Sequence, residues 1–143
     1  MDKKIKVAIV GYGNIGRYVL EALQAAPDFE LTGIVRRNPS AAYPAALNGI
    51  TLVDDIKKLP GTEVAILCTP SCSVEDYASK ILAEGISTVD SFDIHTGICD
   101  LRKKLDAIAK ANNAVSVISA GWDPGSDSVV RALMQVLAPK GIT

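Results

Sequence analysis

The stretch VAIVGYGNIGRYV, residues 7–19, decides the fold. Four apolar residues run into Gly11-Tyr12-Gly13-Asn14-Ile15-Gly16. Beyond that turn Ile15, Val19, Leu20, Leu23 and Ala26 recur at helical spacing. A strand, a glycine turn and a helix in that order open a βαβ unit, and GxGxxG at the junction has a chemical reading there. Gly11 permits the tight turn, Gly13 lets backbone approach a pyrophosphate, and Gly16 lets helix and strand pack closely. The amides at the helix N-terminus then face the anion. The alternative is a glycine turn that serves packing alone.

The rest of the chain repeats the alternation. Lys6–Val10, Glu30–Val35, Ile50–Val53, Glu63–Thr69, Ile86–Asp90 and Val115–Ser119 read as strands. Helices are expected over residues 14–26, Ser73–Glu84, Thr96–Asn112 and Ser126–Leu137, with a helical turn over Asp54–Leu59. Ser71 or Ser73 is the natural cap of the second long helix. Residues 38–50, with two prolines and a glycine, read as an irregular connection. The nearly continuous apolar run EVAILCT (63–69) suits a strand covered on both faces. The fold class is therefore α/β: a Rossmann-like doubly wound, mostly parallel sheet in three αβα layers.

The 143 residues suffice for one domain with a hydrophobic core. Apolar residues make up 48% and charged residues 22%, with a net charge of −1. Nothing in that balance points to nucleic acid or an acidic membrane surface. No apolar run approaches the roughly 20 residues of a membrane span, and no signal peptide is read, so a cytoplasmic location is expected. Three cysteines (Cys68, Cys72, Cys99) and a single histidine, His95, give neither a disulfide framework nor a metal set.

The end of the second strand selects the dinucleotide. An NAD site places a carboxylate there, about 20 residues beyond the loop, for the ribose 2′-hydroxyl. This chain has Arg36-Arg37, which suits the 2′-phosphate of NADP; the alternative is a solvated basic turn. Two more strand-end loops, Cys68-Thr69-Pro70-Ser71 and Val89-Asp90-Ser91-Phe92-Asp93, lie where open α/β sheets bind ligands. The first suits the nicotinamide-side ribose, or is a plain turn and cap. The acids of the second suit a substrate ammonium, or are solvated strand-end charges. In SAGWDPG (119–125), Pro124 restricts Asp123 to extended backbone. Such a loop can aim Trp122 and Asp123 into a cleft; alternatively Trp122 is a core residue and Asp123 a helix cap.

VAIVGYGNIGR, VRR, VDSFD with the following His95, and above all SAGWDPG resemble the meso-diaminopimelate dehydrogenases, in register from about residue 5 to residue 138. The Gfo/Idh/MocA-like reductases share the general plan without the VDSFD and GWDPG pair. The resemblance implies NADP-dependent, reversible oxidative deamination at the D-centre of meso-2,6-diaminopimelate, a reaction of lysine biosynthesis, by a homodimer. It implies cofactor contacts at Gly11, Tyr12, Gly13, Asn14, Ile15 and Gly16, at Arg36 and Arg37, at Cys68, Thr69, Pro70 and Ser71, and at Asp90, Ser91 and Phe92. It implies substrate contacts at Asp90, Trp122 and Asp123, with Asp90 and Asp123 as the catalytic acids. Ser126 and Asp127 stand where family members often carry a bulky apolar residue. Family chains continue into a substrate and dimerisation half, so residues 1–143 are expected to be the NADP-binding domain, binding cofactor with little turnover. Two other classes fit less well: a stand-alone NADP-binding sensor, and another NADP-dependent D-amino-acid or Gfo/Idh/MocA-like dehydrogenase.

Overall fold

The computed structural model describes residues 3–41, 44–122 and 125–141. Six strands form one parallel sheet: β1 (Ile5–Val10), β2 (Phe29–Val35), β3 (Leu52–Val53), β4 (Val64–Leu67), β5 (Ser87–Asp90) and β6 (Ser116–Val117). Their order across the sheet is β3-β2-β1-β4-β5-β6. The chain thus leaves β1 in both directions, which makes the β1/β4 boundary the switch point where ligands bind in open sheets. The helices are α1 (Asn14–Ala25), α2 (Ser71–Ala83), α3 (Ile98–Ala111) and α4 (Ser126–Leu137). Short 3-10 turns occupy Ala45–Leu47, Ile56–Lys58 and His95–Gly97.

The alternation of side chains on β1 sorts the core into two layers. Val7 and Ile9 face Leu20 and Leu23 of α1, with Ile34 and Leu47. Ala8 and Val10 face the other way, into a larger cluster with Val74, Ala78, Ile81 and Leu82 of α2 and Leu101, Leu105 and Ala109 of α3. Strand β4 divides its side chains in the same manner, Ala65 and Leu67 into one cluster and Val64 and Ile66 against the other. The three αβα layers are therefore as expected.

Element ends differ from the sequence reading for local reasons. Strand β4 is trimmed to four residues, yet Glu63 N–H donates to Lys6 O at 2.8 Å and Cys68 N–H to Val10 O at 2.8 Å, so pairing runs past both ends. Helix α2 begins at Ser71 with Pro70 as its N-cap, and neither serine caps it. The Ser71 hydroxyl instead donates to Asp93 Oδ1 at 2.5 Å. Thr96 falls in a 3-10 turn, and α3 starts two residues later. Helix α4 has an amphipathic sequence but buries no side chain: Val129, Leu133, Met134, Val136 and Leu137 are all exposed. No helix among the described residues is long and apolar enough to cross a membrane.

Candidate functional site

The glycine loop closes between β1 and α1, against the end of β4. Gly11 has φ +93°, and a Cβ there would stand 2.6 Å from Cys68 O. A Cβ on Gly16 would stand 2.4 Å from Gly11 O. Both positions are closed to any side chain. Gly13 differs: a Cβ there would meet no atom within 4 Å. It is also the N-cap of α1, and no side chain caps that end. The first turn carries no acidic residue. The amides of this turn and the positive end of the helix dipole therefore converge on open space above a bare backbone, a ready anion site.

A cavity of about 570 Å³ adjoins this turn. Gly11, Tyr12 and Gly13 line it from one side, Arg36 and Arg37 from the end of β2, and Cys68, Thr69 and Pro70 from the end of β4. Three segments far apart in sequence thus meet at one cleft because their strands are neighbours and parallel. Arg36 is anchored by its own backbone, whose N–H donates to Val53 O at 2.7 Å. Its guanidinium Nη1 is buried with no hydrogen-bond partner, as are Tyr12 Oη and Thr69 Oγ1. Unpartnered polar atoms at a cleft wall are unusual, because each forfeits about 1–3 kcal/mol of solvation. An anionic, hydroxyl-rich ligand would satisfy them.

Sequence reasoning did not single out Asn38, Asp54, Ser73 or Tyr77, which also line this cavity. Asp54 was within reach of it, since it directly follows β3 and so lies at a carboxyl end of the sheet. Its carboxyl is held below the usual carboxylate range, first by the hydrogen bond from Lys58, at 2.6 Å. Its charge at the cleft is therefore matched locally. Tyr77 and Ser73 arrive on α2, and their helical phase relative to a cleft is not visible before the helix start is known.

The strand-end acids do not form a solvated pair. Asp90 is only 2% exposed. Its Oδ1 accepts from Phe92 N–H at 2.9 Å and Ser119 N–H at 3.1 Å. Its Oδ2 is buried without a partner. Burial raises the Asp90 pKa above the ordinary value, against those two backbone hydrogen bonds. Asp93 is exposed and tied to Ser71. Phe92 is buried in the core cluster that also holds Leu101 and Val74. Ser71 and Phe92 line a second cavity, of about 470 Å³, together with Cys72, Glu75 and Lys104. Burial pushes the Cys68 thiol up to about 11, which makes it an unreactive wall. Ile15, though part of the motif, is exposed.

Trp122 is 70% exposed, which excludes the core role. Its loop is pinched at the base by a bridge between Gly121 and Gly125, and Asp127 N–H donates to Trp122 O at 3.1 Å. Asp123, expected as the second acid, lies outside the described residues.

Known proteins resemble this chain in sequence and in fold. Residues 5–119 match the family model GFO_IDH_MocA, described as an oxidoreductase family with an NAD-binding Rossmann fold. The chain is 68% identical over 141 residues to a meso-diaminopimelate D-dehydrogenase of Bacteroides fragilis, covering 99% of this chain and 47% of that protein. Among solved structures, an engineered D-amino acid dehydrogenase bound to NADP+ superposes with a TM-score of 0.80 at 34% identity. That match covers 94% of this chain and 42% of the other. The diaminopimelate dehydrogenase of C. glutamicum in complex with DAP gives 0.79 at 34% identity, over 95% and 42%. The chain thus spans about half the length of the curated relatives it matches.

Proposed function

The chain belongs to the Gfo/Idh/MocA oxidoreductase family, with its NAD-binding Rossmann fold, and from that premise we propose that it is the NADP-binding domain of a meso-diaminopimelate dehydrogenase. The observation that carries the cofactor choice is Arg36. Its guanidinium sits at the end of β2 beside Arg37, lines the same cleft as Gly13, and has a buried Nη1 with no protein partner. A carboxylate at this place would accept from a 2′-hydroxyl; two guanidiniums complement a 2′-phosphate. In this reading Gly11 to Gly16 hold the pyrophosphate, Arg36 and Arg37 hold the adenosine phosphate, and Cys68 to Ser71 with Asp90 to Phe92 flank the nicotinamide end. The 68% identity to the Bacteroides fragilis enzyme, and the likeness to a DAP complex and an NADP+ complex, support it.

NADP held by Gly11 to Gly16, Arg36 and Arg37 would supply the two-electron acceptor for oxidative deamination at the substrate's D-centre, which with water would give ammonia and a 2-amino-6-oxo acid. The chain's residues supply binding and orientation. Asp90, whose Oδ2 has no partner, and Asp123 are the acids assigned to the reacting amino group, and Trp122 is assigned an apolar wall. Burial makes the Asp90 charge costly unless a cation meets it, and the substrate ammonium is such a cation. Residues 1–143 act as the cofactor domain. The grip on the distal amino acid and the homodimer contacts belong to a second half, and the working protein is cytoplasmic.

Calorimetric titration with NADP and NAD, beside an Arg36→Ala, Arg37→Ala variant, tests this reading. Each charge-assisted contact is worth about 1.5–3 kcal/mol, so the variant should lose about a hundredfold or more in NADP affinity. NAD binding should change little. Equal affinity for both cofactors in the unaltered chain would refute the assignment.

A further inference from the structure

The β5–β6 ladder is short. Only Thr88↔Ser116 and Val89↔Val117 pair, so regular bonding stops two residues before Ser119. Side-chain and turn contacts replace it. Ser119 N–H donates to Asp90 Oδ1 at 3.1 Å, and Ala120 N–H to Asp90 O at 2.7 Å. The Ser119 hydroxyl donates to Phe92 O at 2.8 Å. Ser119 also has φ +56°, a left-handed conformation that an L side chain adopts at a cost of about 1–3 kcal/mol. A residue keeps such a conformation when its surroundings over-determine it, and here three hydrogen bonds do so. The swing of the chain at Ser119 turns it away from the sheet and into the pinched loop at Gly121–Gly125, from which Trp122 projects.

We propose that Ser119 is a positioning residue for the amino-acid site: its hydroxyl, bonded to Phe92 O, latches the loop that carries Trp122 beside the amide that meets Asp90, so that indole and acid keep one fixed relation. This rests on the reading of Asp90 and Trp122 as substrate contacts. The division of labour at Asp90 supports it. Oδ1 is spent on two backbone amides, one from each loop, and Oδ2 remains without a partner. The two amides therefore fix the carboxylate in rotation and leave a single oxygen unpartnered, and the hydroxyl of Ser119 holds one of those amides in place. The anchor is firm, because Phe92, whose carbonyl receives the Ser119 hydroxyl, has its ring in the core.

Two variants separate the latch from the turn. Ser119→Gly adopts φ +56° without strain but has no hydroxyl, whereas Ser119→Ala lacks the hydroxyl and keeps the strain. Trp122 is the only tryptophan, so its emission anisotropy and its quenching by acrylamide report the loop in this chain directly. Both variants should lower the anisotropy and raise quenching, with NADP affinity unchanged within about twofold, a change too small to represent a lost hydrogen bond. In the full-length protein carrying this domain, both should raise KM for meso-diaminopimelate about five- to tenfold, the equivalent of one hydrogen bond, with a smaller change in kcat. A Ser119→Gly protein that matches the unaltered one in anisotropy and KM would overturn the proposal, since the residue would then serve only the turn. A full-length protein that turns over no diaminopimelate would refute the functional reading, and the fluorescence arm would still decide the latch.

Discussion

Placing a methyl group on each of two glycines of the same loop should produce opposite phenotypes. At Gly16 the added Cβ would stand 2.4 Å from Gly11 O, about 1 Å inside ordinary carbon–oxygen contact, and the atom it meets is backbone. Overpacking of that kind costs about 3 kcal/mol, the upper end of the usual range, because no side chain can swing aside. Alanine returns about 1 kcal/mol through helix propensity, leaving a net loss of about 2 kcal/mol. For a domain of this size that lowers Tm by about 8 °C. At Gly13 nothing lies within 4 Å of the added Cβ, and φ is −104°. The weaker N-cap preference of alanine and its smaller unfolded-state entropy oppose each other, so the net change stays below about 1 kcal/mol. In the proposed reading the same methyl group occupies the space through which a pyrophosphate reaches the α1 amides. Gly13→Ala should therefore keep its Tm and lose at least about tenfold in NADP affinity, since one displaced charged contact is worth that much. Thermal unfolding by far-ultraviolet circular dichroism, paired with calorimetric titration, reads both. A Gly13→Ala protein that binds NADP unchanged would refute the assignment of that space to phosphate. A Gly16→Ala protein as stable as the parent would refute the packing argument.

Cysteine reactivity and acid stability give two more tests. With its thiol pushed up to about 11, Cys68 should resist a maleimide at pH 7.5 that labels the exposed Cys72 and Cys99, as peptide mass spectrometry would show; prompt labelling of Cys68 would contradict its burial. Asp90 has a raised pKa in the folded chain, so between its unfolded value of about 3.9 and its folded value the native state holds the extra proton. Its ionisation thus opposes folding above that window and is absent below it. Relative to Asp90→Asn, the parent should gain stability as pH falls through the window, measured by urea unfolding from pH 7 to 4; a difference that moves the other way would show the carboxylate to be stabilised when charged.

The parts of the molecule that were legible in the sequence are those written in local pattern. The glycine spacing, the apolar runs of β1 and β4 and the helical periods of α1 and α3 place the layers correctly, because each is fixed by residues a few positions apart. The basic pair at the end of β2 is legible for the same reason. What escaped depends on distant partners. Ser71 has the chemistry of a cap, but Asp93, 22 positions away, takes its hydroxyl. Asp90 looks like a solvated strand-end acid until Ser119, 29 positions on, is seen to donate to it. Phe92 reads as a ligand contact, and its ring also joins the core because Gly97 of the next segment comes back against it. For Trp122 the sequence leaves a choice between a residue aimed from its loop and a core residue, and its exposure removes the second. Asp54 and Tyr77 reach the cleft only because the order of strands brings β3 and α2 to it.

Helix α4 buries no side chain, while the sheet and both core clusters draw on nothing beyond Ile118. The order of synthesis then matters. A ribosome extending this chain has already delivered the six described strands and both described core clusters when it begins α4. The Rossmann unit can close on itself while the polypeptide behind it is still being threaded outward. The helix follows a Rossmann unit that packs without it, so substitutions along its exposed face should leave the unfolding midpoint of residues 1–143 nearly unmoved.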